Sequence, residues 1–377
     1  MHHSYRDQTI MISTSDQLLS MVQNLRSVTE IAFDTEYDSF KREYGFKLLL
    51  MQIFDGERIY IIDPLAVQDL TPLWRVLENP SIVKTVYSGS EDIALMKQLG
   101  CQMRNIFDVQ IAATLCNHPA LNLGDLIASI TGEPADKRQQ KSDWRVRPLT
   151  KDQITYAAND VIHLIQLKKN LSISVDERLL GEVLAEENRT MELIPTREHI
   201  PELKGQHYKY RSQSFCVALL KMIMLRDTIA RELNLPPVRV VDTRYLEEAL
   251  EDKQEFLSSK EFRSFHPRIR NNDNWQEKFL NIIALYDPND TTRARRENVP
   301  DRFPRRFLYS KEEQAEIIMN KYDPVKVEMI DIYGERAAEF LLRGLKKDLI
   351  SPEDPKRNIR EYQKALLHRI RTSVNKV

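Results

Sequence analysis

The sequence predicts an α/β domain built on a mixed sheet, followed by an all-α helical half. Three observations carry this. Through residue 192, short apolar runs alternate with helical patterns. At 194–206 (IPTREHIPELKGQ), two prolines and a glycine interrupt the chain. Beyond Arg211, strand signals nearly vanish. The predicted division is a first domain over 1–193, a linker over 194–207, a helical domain over 208–283, a basic connector over 284–309 and a C-terminal helical region over 310–377.

Segments 31–37 (IAFDTEY), 47–54 (KLLLMQIF) and 58–62 (RIYII) read as strands. Asp55-Gly56 between the last two is a hairpin turn signal, so an antiparallel meander is expected. A helix follows near 70–78, then a strand at 82–87 and a helix over 91–99 with Ser90 as its N-cap. Helical patterns recur at 108–116, 123–130 and 151–170. In the second half, Phe215, Leu219, Met222, Leu225, Ile229 and Leu233 recur at three- and four-residue steps, an amphipathic helix that Asn234-Leu235-Pro236-Pro237 stops. Residues 286–309 form a Pro- and Arg-rich connector, and the last stretch is helical again.

Composition excludes several classes. Of 377 residues, 42 % are apolar and 29 % charged, ordinary for a globular protein. No apolar run approaches the ~20 residues of a membrane span, and the longest candidate, 217–225, is cut by Lys221. The opening MHHSYRDQ lacks the layout of a secretory signal. Cys101, Cys116 and Cys216 have no CxxC spacing and cannot all pair, so a reduced, cytoplasmic setting is expected. Residues 283–377 carry 20 Lys and Arg against 16 Asp and Glu, leaving 35 against 40 elsewhere. This mild asymmetry does not by itself predict a polyanionic partner. No phosphate-binding GxxxxGK[ST], HExxH or GxSxG motif occurs, and the eight His form no zinc set with the cysteines.

Carboxylates carry the chemical signal. Asp34 and Glu36 are two apart in a strand, so both point to one face, while Thr35 points to the other beside Phe33 and Tyr37. Two acids on one face repel unless a cation neutralises them, and hard oxygen ligands select Mg²⁺ or Mn²⁺. Asp92 falls in the first turn of a helix. Tyr156 and Asp160, four apart, share a helix face. Each element alone also fits a plainer reading: a solvated strand edge, a helix-capping acid, a surface Tyr–Asp pair.

The combination is more specific than its parts. DTE in an early strand, SED after a later strand and YxxxD on a late helix resemble the DEDD exonuclease superfamily, in its tyrosine subgroup. FDTEY, QIFDGERIYIIDPL, YSGSEDI, IFDVQIAA and SDWRVRPLTKDQITYAANDV resemble the ribonuclease D family over residues ~25–190. One departure is Tyr87, where that family often has His. The resemblance implies a ribonuclease H-like sheet domain. It also implies that Asp34, Glu36, Asp92 and Asp160 coordinate two divalent cations, Mg²⁺ or Mn²⁺, and that Tyr156 positions the attacking water. Four acids bring about −4 of charge, which two divalent ions balance.

Lys137, Arg138, Lys141, Arg145 and Arg147 flank Trp144 just ahead of the Tyr156 helix. Cations interleaved with an aromatic suit a single strand, so Lys141, Trp144, Arg145 and Arg147 are candidate nucleic-acid contacts, with a solvated loop and a core Trp144 as the plainer reading. Asp108, Gln110 and Asp143 read as structural supports. Residues 208–283, best seen in FCVALLKMIMLRDTIARELNLPPVRVVDTRYLEEAL, resemble the HRDC (helicase and ribonuclease D C-terminal) domain, which implies auxiliary nucleic-acid binding. A divergent second such module is conceivable over 310–377. The function implied is 3′→5′ removal of nucleotides from single-stranded RNA 3′ ends, as on tRNA precursors. A DNA exonuclease with the same site, or a binding protein that has lost its chemistry, are the alternatives. No membrane is implied and no protein partner can be deduced.

Overall fold

The structure, a computed structural model, describes residues 8–132, 142–196, 201, 203, 211–251, 265–270, 272–292, 294, 311–350 and 359–372. Two compact units divide the chain. The first takes Met1–Tyr37, Leu48–Arg197 and Arg306–Val377; the second takes Asp38–Lys47 and Glu198–Arg305. These units do not coincide with the consecutive blocks drawn from the sequence.

In the first unit the elements are β1 (Thr9–Ile12), α1 (Ser15–Asn24), β2 (Glu30–Ser39), β3 (Phe46–Phe54), β4 (Ile59–Ile62), α2 (Thr71–Leu77), β5 (Val83–Val86), α3 (Ser90–Gln98), β6 (Ile106–Asp108), α4 (Val109–Leu115), α5 (Leu123–Thr131), α6 (Lys151–Ile162), α7 (Leu164–Glu177) and α8 (Gly181–Met191). The strand order is β1-β4-β3-β2-β5-β6. β1 pairs parallel with β4, β3 antiparallel with β4, and β2, β5 and β6 run parallel. The α/β class with a mixed sheet is therefore what the chain adopts. β3 and β2 lie centrally, which is why β3 reads as a near-continuous apolar run buried from Leu48 to Phe54. Each such side chain contributes roughly 1.5–3 kcal/mol on burial.

Four of these elements lie outside the sequence expectation: β1, α1, β6 and α8. The start of α1 carries a legible signal, because Thr14 and Gln17 form a capping box. The helix expected over 151–170 is two, α6 and α7, meeting at His163. Ser90 is not a cap; it is the first residue of α3, and Gly89 occupies the cap position.

The described C-terminal elements, numbered after the helices of the second unit, are α14 (Lys311–Ile317), a π-helical turn (Ile318–Tyr322), α15 (Asp323–Tyr333), α16 (Glu335–Leu341), α17 (Leu345–Ile350) and α18 (Glu361–Thr372). Tyr322, Met329, Leu341, Leu345 and Ile370 share one hydrophobic core with Val109, Leu126, Val161 and Leu167. Buried Glu187 on α8 accepts from Tyr362 at 2.8 Å and pairs with Arg343 and, at 3.2 Å, with Arg360. The described part of 310–377 is thus core of the first unit.

The second unit is helical: α9 (Gln213–Leu233), α10 (Pro237–Val240), α11 (Thr243–Glu251), α12 (Pro267–Arg270) and α13 (Asp273–Ala284). Phe215, Leu219, Met222 and Ile229 of α9 form its core with Val240, Leu246, Phe265 and Phe279. Asn234 ends α9 in the left-handed region at φ 51°, which suits Asn before the two prolines. Tyr44 also belongs to this unit, donating its hydroxyl to Asp227 at 2.8 Å.

Candidate functional site

The site begins on β2. Phe33 and Thr35 are buried, while Asp34 and Glu36 on the opposite face are half-buried. On α6, the Thr150–Gln153 capping box fixes the helix start, and Tyr156 and Asp160 fall one turn apart. One carboxylate oxygen from each of Asp34, Glu36 and Asp160 lies within 4.8 Å of the others. The fourth acid, Asp92, is buried in the first turn of α3, and its negative charge bears on Asp34. The Tyr156 hydroxyl stands beside Asp160 and favours its charged form. The structure therefore draws together all five of these residues from separate segments of the first unit.

Electrostatics mark the cluster as charge-frustrated. Burial, and then the charges of Asp92, Asp160 and Glu36, hold the Asp34 carboxyl well above its ordinary value. Burial pushes Asp92 up to about 6, opposed by a hydrogen bond from Thr35. It pushes Asp160 up to about 7, opposed by the Tyr156 hydroxyl. Burial and the charges of Asp160, Glu36 and Asp34 raise Tyr156, so it keeps its proton at neutral pH. Close, partly desolvated carboxylates supplying only oxygen atoms are the donor set of a hard divalent cation.

Neighbouring residues hold these groups in place. Thr35, on the opposite face as expected, donates to Asp92 Oδ1 and so ties the β2 strand to α3. The Asp108 carboxylate accepts from the Ser88, Gly89 and Gln110 backbone N–H groups at 3.1, 2.9 and 2.8 Å, and also from Ile111. It caps α4 and clamps the turn that leads into α3. Ser88 adopts φ 52° in that turn. A Cβ at Gly89 would sit 2.6 Å from Val86 Cγ2, so only glycine fits there. Tyr87 donates to the Leu121 carbonyl and accepts from Gln110 at 3.2 Å. It fills a structural position at the edge of the core.

The candidate nucleic-acid contacts fare differently. Lys141 lies outside the described residues, as do Lys137, Arg138 and every arginine of the 286–309 connector. Trp144 is only 4 % exposed and belongs to the core, so its indole offers no free face to a base. Arg147 is turned inward: Nε and Nη2 grip Asp63 at 2.5 and 2.9 Å, Nη2 reaches the Leu49 carbonyl at 2.8 Å, and Nη1 the Trp144 carbonyl at 2.7 Å. The expectation for Trp144 and Arg147 is corrected accordingly, since a guanidinium committed to a buried carboxylate is not available to phosphate. Arg145 is half-exposed. Asp143 accepts from the Arg145 N–H at 3.2 Å, a loop-fixing contact. Asp63, Thr35 and Gln153 were not legible as supports, because their partners are far away in sequence or set by the fold.

Residues 9–176 match the family described as 3′-5′ exonuclease (DNA_pol_A_exo1). The chain is 32 % identical over 230 residues to ribonuclease D of Escherichia coli (strain K12), covering 59 % of this chain and 61 % of that protein. It is 39 % identical over 163 residues to ribonuclease D of Shewanella sp. (strain ANA-3), covering 43 % and 42 %. In these alignments the chain spans less than two thirds of either relative's length. The crystal structure of Escherichia coli RNase D aligns with a TM-score of 0.71 at 24 % identity, over 96 % of this chain and 98 % of that one. A Bifidobacterium adolescentis protein aligns with a TM-score of 0.74 at 20 % identity, over 96 % and 95 %. Both likenesses concern the fold. Among the described residues no helix is long and apolar enough to cross a membrane. Residues 9–176 are thus similar to 3′-5′ exonuclease domains, and among them to those of the ribonuclease D proteins.

Proposed function

We propose that this protein is a metal-dependent 3′→5′ exoribonuclease, hydrolysing the terminal phosphodiester of RNA 3′ ends and releasing nucleoside 5′-monophosphates. The observation that carries this reading is the approach of Asp34, Glu36 and Asp160 oxygens to within 4.8 Å of one another, with the Tyr156 hydroxyl beside Asp160. The ribonuclease D name of the relatives supports RNA as substrate. The solved Escherichia coli protein is described as an exoribonuclease involved in structured RNA processing. Structured RNAs such as tRNA precursors are the substrates proposed here.

Asp34, Glu36, Asp92 and Asp160 would hold two divalent cations, Mg²⁺ or Mn²⁺, and the all-oxygen donor set fits either. When bound, such ions supply Lewis-acid neutralisation of the phosphate and of the departing 3′ oxygen. Tyr156, protonated at pH 7, orients the attacking water through its hydroxyl and is too weak an acid to serve as a base. Attack at phosphorus breaks the P–O3′ bond, leaving a 5′-monophosphate and a shortened RNA with a 3′ hydroxyl. Thr35 and Asp108 keep Asp92 directed at the cluster. The second unit, HRDC-like in sequence, is proposed as an auxiliary nucleic-acid contact, and a cytoplasmic setting suits three buried cysteines that form no disulfide.

Parallel digestion of matched RNA and DNA oligonucleotides, with Mg²⁺, with Mn²⁺ and with EDTA, tests this. Expected is RNA shortening that EDTA abolishes. Preferential degradation of DNA, or no hydrolysis with either metal, contradicts it.

A further inference from the structure

Tyr156 is useful only if its hydroxyl is aimed, and a half-buried ring on a helix face needs a neighbour to hold it. Trp144 is that neighbour. The two ring centroids lie 6.0 Å apart with planes tilted 43°, within the range where aromatic rings attract. Trp144 is itself fixed on both flanks. The Asp143 carbonyl accepts from Gln153 Nε2 at 3.2 Å, and Gln153 lies one turn before Tyr156 on the same helix. The Trp144 carbonyl accepts from Arg147 Nη1 at 2.7 Å, and Arg147 is anchored by Asp63 beyond β4 and by the Leu49 carbonyl in β3. A continuous path thus leads from the sheet through Asp63, Arg147 and Trp144 to Tyr156.

We propose that Trp144 is a positioning residue for hydrolysis: its ring sets the direction of the Tyr156 hydroxyl, and the Arg147–Asp63 pair holds Trp144 for that purpose. This rests on the reading of Tyr156 given above. It also replaces base stacking with internal support as the reason for an aromatic among cations in SDWRVR. Misplacement of a reacting group by about 1 Å costs on the order of 100-fold in rate, so loss of the support should be visible in kcat.

The test is a kinetic double-mutant cycle on a 5′-labelled RNA with Mn²⁺, using Trp144→Leu, Trp144→Phe and Arg147→Lys, each alone and combined with Tyr156→Phe. Trp144→Leu should lower kcat roughly 10–100-fold and leave KM essentially unchanged. Trp144→Phe should recover most of that loss. In the Tyr156→Phe background, where no hydroxyl remains to aim, Trp144→Leu should cost almost nothing further. Should Trp144→Leu fail to fold, Arg147→Lys must show the same pattern: a kcat loss in the wild-type background that disappears beside Tyr156→Phe. Losses that multiply in the double variants, a raised KM with unchanged kcat, or no loss at all would overturn the proposal. Undiminished kcat in Tyr156→Phe alone would instead sink the reading of Tyr156, so the two failures are told apart by the single variant.

Discussion

Asp160→Asn removes one charge from the cluster and keeps the side chain's size and an acceptor oxygen beside the Tyr156 hydroxyl. In metal-free protein the carboxylate oxygens of Asp34, Glu36 and Asp160 lie within 4.8 Å of one another. At an effective dielectric of ~20, each like-charged pair at that separation costs on the order of 3 kcal/mol. Burial raises Asp160 from 3.8 to about 7, with the Tyr156 hydroxyl opposing it. Between those two values the native state binds a proton that the unfolded state has released. Native stability therefore falls as pH rises through this window, and above about 7 the full penalty is present. At ~1.4 kcal/mol per unit the full rise is worth roughly 4–5 kcal/mol, and the partial exposure of Asp160 to solvent trims the penalty to roughly 2–4 kcal/mol.

Urea unfolding in EDTA, followed by circular dichroism from pH 4 to 8, reads this directly. At pH 8 Asp160→Asn should be more stable than wild type by roughly 2–4 kcal/mol, and near pH 4 the difference should fade. Added Mn²⁺ should stabilise wild type more than the variant, since binding to the native state alone raises stability by mass action. A variant equal to or weaker than wild type at pH 8 in EDTA would refute the picture of a charge-frustrated cluster.

Two further outcomes follow from the supports. Asp108→Ala strips the acceptor from four backbone N–H groups. It should cost roughly 2–4 kcal/mol in thermal denaturation and weaken Mn²⁺ binding seen by calorimetry, because the turn before Asp92 loosens. Glu187→Gln leaves Arg343 and Arg360 facing a neutral group. It should destabilise by roughly 2–4 kcal/mol and raise hydrogen exchange selectively in α18, with intact α18 protection speaking against the assignment of that helix to the first unit's core.

Much of the site was legible because it is written locally. Asp34 and Glu36 share a face by strand alternation, and Tyr156 and Asp160 by helical spacing. β3 announced itself by a run of apolar residues that only a central strand buries. β1 and β6, by contrast, have four and three residues, too few for any periodicity to show, and the order of strands is set by pairing across the sheet. The partners of Thr35 and Trp144 were hidden for one reason: what each touches, Asp92 and Tyr156, depends on which segments the fold brings together. Arg147 looked like a phosphate ligand because its partner Asp63 lies 84 residues away in sequence. The packing of the C-terminal helices into one core with α4, α6 and α7 was equally hidden, since amphipathic helices do not encode which apolar face they cover.

The central claim is hydrolysis from the RNA 3′ end by the Asp34 cluster, and one digestion tests it most directly. The same RNA, labelled at its 5′ or its 3′ end, is incubated with Mn²⁺ and either wild type or Asp34→Asn. The account predicts that wild type releases the 3′ label at once as a mononucleotide and shortens the 5′-labelled RNA through a ladder, while Asp34→Asn does neither. Internal fragments from wild type, or an undiminished ladder from Asp34→Asn, would contradict it.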